Sequence, residues 1–171
     1  TTDTADAFRQ LARMGALVGR EPQADSIARS LRGELAAIHA EACREFAAPE
    51  TVFLVLWTEP PQTAGGGTWM TTLLETACLK NVFEDERIPW PTIGMESITA
   101  RQPRFILTSR GDSVGKRLAE FRAKPGWRDL DAIDLALRTG KQPVIFQKSY
   151  DITRFMPMAE AVAQQAVSAM K

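Results

Sequence analysis

The chain has 171 residues, with 21 Lys+Arg against 21 Asp+Glu, one His and two Cys; 44% of it is hydrophobic and 25% charged. That length suits one domain that buries roughly 70% of its unfolded surface, and the composition excludes a disordered or fibrous chain. Zero formal net charge leaves no basic excess to release phosphate counterions, which argues against non-specific nucleic-acid binding.

In chain order, Ala5 to Val18 carries apolar residues at Phe8, Leu11, Met14, Leu17 and Val18, the spacing of a helix that opens the chain without a signal peptide; a cleaved signal would look the same. Gly19 stops it, and Glu21-Pro22 favours a fresh start. From Ala24 to Phe46 the stripe Ile27, Leu31, Leu35, Ile38 and Cys43 predicts a second helix. The period then changes. Thr51 to Trp57 is a continuous apolar, β-branched run of the kind buried on both faces of a parallel sheet, and it is strand-sized, far short of the roughly 20 residues that span a bilayer.

A loop over Thr58 to Gly67 leads to a helix capped by Thr68 and running from Trp69 to Leu79. A short strand follows at Asn81 to Phe83, then an acidic loop with Pro89-Trp90-Pro91, a short helix at Met95 to Arg101 and a strand at Arg104 to Thr108. Gly111-Asp112 caps a helix reaching Arg122, Pro143 to Phe146 is the last strand, and Phe155 to Met170 is an amphipathic helix. Strands alternating with helices predict an α/β class with about four parallel strands and right-handed crossovers. Ligands of such sheets lie beyond the carboxyl ends of the strands. Three loops leave those ends: Thr58–Gly67, Glu84–Ile93 and Gln147–Arg154.

Catalytic motifs fail one by one. His39-Ala-Glu41 copies the start of a zinc-deaminase signature, but the Pro-Cys-x-x-Cys run that would hold the metal is missing, which leaves His39 as a helix-surface residue. Gly111 to Lys116 has three residues between its glycines where a phosphate-binding P-loop needs four, and Arg117 follows the Lys. Gly65-Gly66-Gly67 either offers backbone N–H groups to an anion or gives the loop freedom. No paired carboxylates and no Ser-His-Asp or Cys-His set stand out. The chain reads as a binder, with no catalytic or metal-ligating residues.

The stretch from Thr68 through Asn81-Val-Phe83, the acidic loop, Pro89-Trp90-Pro91 and Glu96 resembles the carboxyl-terminal lobe of periplasmic substrate-binding proteins that serve ABC importers of cobalamin, ferric siderophores and haem. The cobalamin-binding members look closest, through the Pro-Trp-Pro and its spacing to Glu96. Leu11 to Glu21 looks like the end of the rigid helix joining the two lobes, and Trp57-Thr-Glu-Pro60-Pro61, Arg104-Phe-Ile-Leu107 and Trp127 to Ile133 fit in order. Where the family often has a Gly pair, this chain has Cys78-Leu79, and Gly94 replaces a capping Ser.

The resemblance implies a small three-layer parallel-sheet lobe preceded by a spanning helix, with residues 1–20 ending that helix and 21–171 forming the substrate-binding lobe. The amino-terminal lobe would precede Thr1, so a piece of a longer protein is expected. The implied activity is non-enzymatic capture of a metal chelate (cobalamin, ferric siderophore or haem) in the periplasm or in an extracellular, membrane-anchored setting. Delivery would be to an inner-membrane permease and its ATPase, with no covalently bound cofactor. The resemblance assigns Trp90, Arg154, Tyr150 and Gln62 to the ligand and Glu96 to permease docking, and it makes Trp57 and Trp69 core or rim residues. Cys43 and Cys78 are either a periplasmic disulfide or buried free thiols. The alternative is a small α/β enzyme that holds a phosphorylated ligand on the glycine loop.

Overall fold

Apolar residues three and four apart make the first two elements helical: α1 (Thr4–Leu17) and α2 (Glu21–Arg44). Gly19, at φ +64°, turns the chain, and the Arg20 N–H donates to the Gly15 carbonyl at 2.7 Å. α1 then folds back along α2. A Cβ on Gly15 would lie 2.5 Å from that of Ala24, and the Arg32 guanidinium covers the Phe8 ring at 4.5 Å. The structure, a computed structural model, describes residues 4–108, 114–133, 144–146 and 155–170.

The sheet comprises β1 (Glu50–Val55), β4 (Leu79–Asn81), β5 (Phe105–Thr108) and β6 (Val144–Phe146), all parallel, in the order β4-β1-β5-β6. A two-stranded antiparallel ribbon, β2 (Trp57–Thr58) with β3 (Pro61–Gln62), follows β1. The helices after it are α3 (Trp69–Thr76), α4 (Met95–Arg101), α5 (Val114–Ala123), one 3-10 turn (Trp127–Asp129) and α6 (Phe155–Met170).

Strand alternation divides the core into the expected layers. Val52, Leu54, Phe105 and Leu107 face Ala42, Met70, Leu74, Val162 and Ala166, from α2, α3 and α6. Phe53, Val55 and Ile106 face Phe83, Ile98, Phe121, Trp127 and Ile133 on the other side. Trp127 stacks on Phe121 with ring centroids 4.6 Å apart.

The structure corrects several sequence expectations. The Thr51–Trp57 strand stops at Val55, because Trp57 and Thr58 leave the sheet to pair with Gln62 and Pro61; the Thr58–Gly67 loop is therefore partly strand. The Trp69–Leu79 helix ends at Thr76, and the following strand is Leu79–Asn81 in place of Asn81–Phe83. Both shifts fall at Cys78, whose left-handed φ of 57° ends the helix. The strand expected from Arg104 begins at Phe105; of the one expected over Pro143–Phe146, the described residues Val144–Phe146 are strand. The cap expected at Gly111-Asp112 lies outside the described residues.

Cys43 at the end of α2 is joined to Cys78 after α3, with Cα atoms 5.1 Å apart, which resolves the thiol question in favour of a disulfide. His39 is a surface residue whose Nδ1–H donates to the Glu75 carbonyl at 2.8 Å, one turn from Cys43; this ties α2 to α3 beside the bridge. No helix among the described residues is long and apolar enough to cross a membrane.

Candidate functional site

Two of the three loops at the carboxyl ends of the strands are described, and they are joined to each other. Residues 61–66 run antiparallel to 86–93. The Ile93 N–H donates to the Pro61 carbonyl (2.8 Å), Thr63 N–H to Pro91 (3.1 Å), Gly65 N–H to Pro89 (3.0 Å) and Gly66 N–H to Glu86 (2.9 Å). A single β-bridge pairs Gln62 with Thr92. The register of these bonds sets Trp90 opposite Ala64, two residues along from the Gln62–Thr92 bridge. Trp57 stands directly opposite Gln62 on the other side. A three-stranded exposed surface results, with Gln62 half-buried at its centre, Trp90 40% exposed and Trp57 43% exposed.

The residues between these positions explain the shape. Thr63 and Pro91 turn inward and are buried, and Thr63 Oγ1 donates to the Leu54 carbonyl at 2.7 Å. A Cβ on Gly65 would lie 2.2 Å from the Ile88 carbonyl oxygen, and one on Gly66 would lie 2.2 Å from that of Glu84. Close approach of two backbones, more than loop freedom, is what requires glycine at 65 and 66. At Gly67 a φ of +68° is the requirement. Two of the N–H groups an anion cradle would use, those of Gly65 and Gly66, are already given to backbone carbonyls.

Beneath the surface is a buried polar network. Asn81, fully buried, donates through Nδ2 to the Ala64 carbonyl (2.8 Å) and to Thr71 Oγ1 (2.9 Å), and its Oδ1 accepts from the Phe83 N–H (3.0 Å). Thr68 and Thr71 both donate to the Gly65 carbonyl, at 3.0 and 2.8 Å. The acidic loop is fixed from α4. Arg101 holds Asp85 with two hydrogen bonds (2.5 and 2.9 Å), donates to the Val82 carbonyl and lies 4.4 Å over the Phe83 ring. That guanidinium holds the Asp85 carboxyl below its ordinary range. At the hairpin tip, Lys124 Nζ donates to Thr58 Oγ1 at 2.9 Å and reaches Glu59 at 3.5 Å.

The two joined loops thus carry Gln62 and Trp90 two residues apart along their register, and Trp57, expected in the core or at its rim, is exposed opposite Gln62. Glu96 is apart from them, exposed in the first turn of α4 behind the Gly94 cap. Tyr150 and Arg154 lie outside the described residues. Trp69 is half-buried against Phe155, 6.5 Å away, at the rim of the core. Sequence reasoning missed Asn81, Thr71 and the Asp85–Arg101 pair. The one available signal was an amide, Asn81, opening the short apolar run Val82-Phe83.

The family described as periplasmic binding protein matches residues 1–134 of the chain. The vitamin B12-binding protein of Salmonella typhimurium (strain LT2) is 36% identical over 105 residues, which is 61% of this chain and 38% of that protein. Among solved structures, a possible iron-binding (periplasmic solute-binding) protein of Staphylococcus epidermidis superposes with a TM-score of 0.78 at 19% identity. The periplasmic vitamin B12 binding protein BtuF of Vibrio cholerae does so with 0.69 at 18%. Each superposition covers 100% of this chain and 64% of the other, so the chain spans under two thirds of these relatives.

Proposed function

Because the chain belongs to the periplasmic binding protein family, we propose that it is the carboxyl-terminal substrate-binding lobe of an ABC importer component that captures a metal chelate. The cargo is cobalamin, a ferric siderophore or haem, held without covalent chemistry between this lobe and an amino-terminal one. Residues 1–20 would end the helix joining the lobes, and 21–171 would form this half of the cleft.

What carries the reading is the exposed Trp90–Gln62 surface. It lies beyond the carboxyl ends of β1 and β4, where open α/β sheets take their ligands. The Trp90 loop is bracketed by Pro89 and Pro91 and bonded to a second loop, so its indole is presented at little entropic cost. Arg154 and Tyr150 complete the proposed ligand set. Glu96, facing solvent in the first turn of α4, docks the permease, whose ATPase drives import. The periplasm is the proposed location, in keeping with a vitamin B12-binding relative at 36% identity.

The test is titration of the full-length protein with cyanocobalamin, haemin and a ferric siderophore, followed by Trp fluorescence. Saturable binding of one, weakened at least tenfold by Trp90→Ala, is expected. No binding of any of the three would overturn the reading. Nanomolar affinity in the 171-residue chain alone would contradict a two-lobed cleft.

A further inference from the structure

We infer that the groove between α2 and α6 docks a cationic amphipathic helix of a partner protein, with small and aliphatic side chains on its floor and Lys or Arg against its rim. The groove shares no lining residue with the Gln62–Trp90 surface, so this role stands apart from the importer reading.

The groove encloses about 850 Å³. Ala37, Ile38 and Ala42 of α2 face Ala163 and Val167 of α6 across it. Ala42 and Ala163 are buried at its floor, and these small side chains leave depth where Leu or Met would fill the space. Its rim is acidic. Glu41 and Glu45 stand on the α2 side and Glu160 on the α6 side, all exposed, and no described lining residue is basic. Arg44 reaches Glu41 at 2.5 Å, but both side chains are 70% exposed. An exposed pair of that kind is weak, and a guest cation can take its place.

Charge and shape together choose the occupant. An acidic segment or an anionic lipid surface would meet carboxylates on both walls and be repelled. A small cation would satisfy the rim and leave the apolar floor wet. The lining runs from Ala37 to Glu45 on one helix and from Glu160 to Ser168 on the other, each about 12 Å of helical rise. That length takes two turns of a guest helix, which offers an apolar stripe with cations on its flanks. The α2 wall is also stiff in advance, since the Cys43–Cys78 bridge and the His39 bond to the Glu75 carbonyl tie it to α3. A preformed wall loses little entropy on docking.

The full-length protein is titrated, by fluorescence anisotropy, into a labelled Ala-rich helical peptide of about 14 residues with Leu and Ala on one face and Lys on its flanks. The same peptide with Glu in place of Lys is the comparison. Saturable binding of the Lys peptide, about tenfold or more tighter than the Glu peptide, is expected. Glu160→Lys, and Gln164→Trp, which fills the groove without changing its charge, should each weaken the Lys peptide about tenfold. Asp129→Lys, an equal charge change elsewhere on the surface, should leave it within about twofold, with folding of every variant checked by circular dichroism. No saturable binding, equal affinity for the two peptides, or affinity unmoved by both groove variants overturns the inference. Spermine that displaces the peptide from the groove at equal concentration would make this a small-cation site and overturn it too. So would a concentration-dependent dimer of the peptide-free protein that Glu160→Lys abolishes, which assigns the groove to a second copy. None of these outcomes touches the importer reading, whose test is chelate binding.

Discussion

Asn81, at the carboxyl end of β4, donates from Nδ2 to the carbonyl of Ala64 at 2.8 Å, so the end of one strand clamps the loop that leaves another. The same amide reaches Thr71 Oγ1, and its oxygen receives the Phe83 N–H. All of this happens at a fully buried position. Unmade hydrogen bonds in such a place cost the full desolvation of each orphaned group. Asn81→Ala should therefore lower unfolding free energy by about 2–4 kcal/mol, read as a drop in the urea midpoint. A loss under about 0.5 kcal/mol would mean that water replaces the amide.

Legibility in the sequence followed the range of the interaction. The buried run Val52–Val55, the period of α2 and the cap at Thr68 are local signals, and each element is where its pattern puts it within a few residues. The turn after α3 was misplaced because a cysteine holds a backbone conformation that normally advertises itself as glycine. The β2–β3 ribbon has two residue pairs around Pro60 and Pro61, too few and too proline-rich to read as strand. The clamp from Asn81 to Ala64 and the fork from Arg101 to Asp85 join residues 17 and 16 positions apart. No local spacing encodes them. From the sequence Trp57 reads as core or rim for the same reason, since only the register of the ribbon sets it beside Gln62.

The Cys43–Cys78 bridge closes a loop of 35 residues between the last turn of α2 and the turn before β4. Loop-closure entropy gives it about 3–4 kcal/mol of stabilisation. Reduction, or the paired Cys43→Ala and Cys78→Ala changes, should lower stability by that order in urea unfolding. Replacing Cys78 by Gly in place of Ala in the pair should return about 1 kcal/mol, because φ 57° favours glycine. Equal stability of the two pairs would show that the turn relaxes once the sulfur link is gone.

Asp85 gives the acid limb of stability a defined sign. Its folded carboxyl is held low chiefly by the hydrogen bonds from Arg101. The pair therefore stabilises the fold above the unfolded carboxylate value of about 3.9, and that contribution disappears as pH falls through the lower folded value. Asp85→Asn should be less stable than wild type at pH 7 and converge with it as pH falls through that lowered folded value. Parallel stability curves from pH 7 to pH 2 would remove this account.

Glu96 is exposed, sits in the first turn of α4, and is separated from the Trp90 surface by Ile93, whose N–H is spent on Pro61. Rim charges of this kind act on encounter and orientation more than on cargo affinity. In a reconstituted importer Glu96→Lys should cut cargo-stimulated ATPase activity at least tenfold, with chelate affinity unchanged within twofold. A matching fall in chelate affinity would place Glu96 at the cargo and remove the docking role.

Under the proposed function, Gly65 links the fold to the cargo most directly. Its N–H bonds the Pro89 carbonyl, its carbonyl receives Thr68 and Thr71, and a Cβ there would meet the Ile88 carbonyl oxygen at 2.2 Å. A backbone oxygen cannot swing aside as a side chain would, so Gly65→Ala must push apart the two loops that together carry Gln62 and Trp90. Strain of this sort costs about 1–3 kcal/mol. The displaced loop should also shift Trp fluorescence and weaken chelate binding about as much as Trp90→Ala does. Gly67→Ala serves as the comparison, because at φ +68° it is strained but has open space around the added methyl. It should lose stability by about 1 kcal/mol while keeping the chelate. If Gly65→Ala lost stability yet bound as tightly as wild type, the bonded pair of loops would be scaffolding alone, with the cargo resting elsewhere.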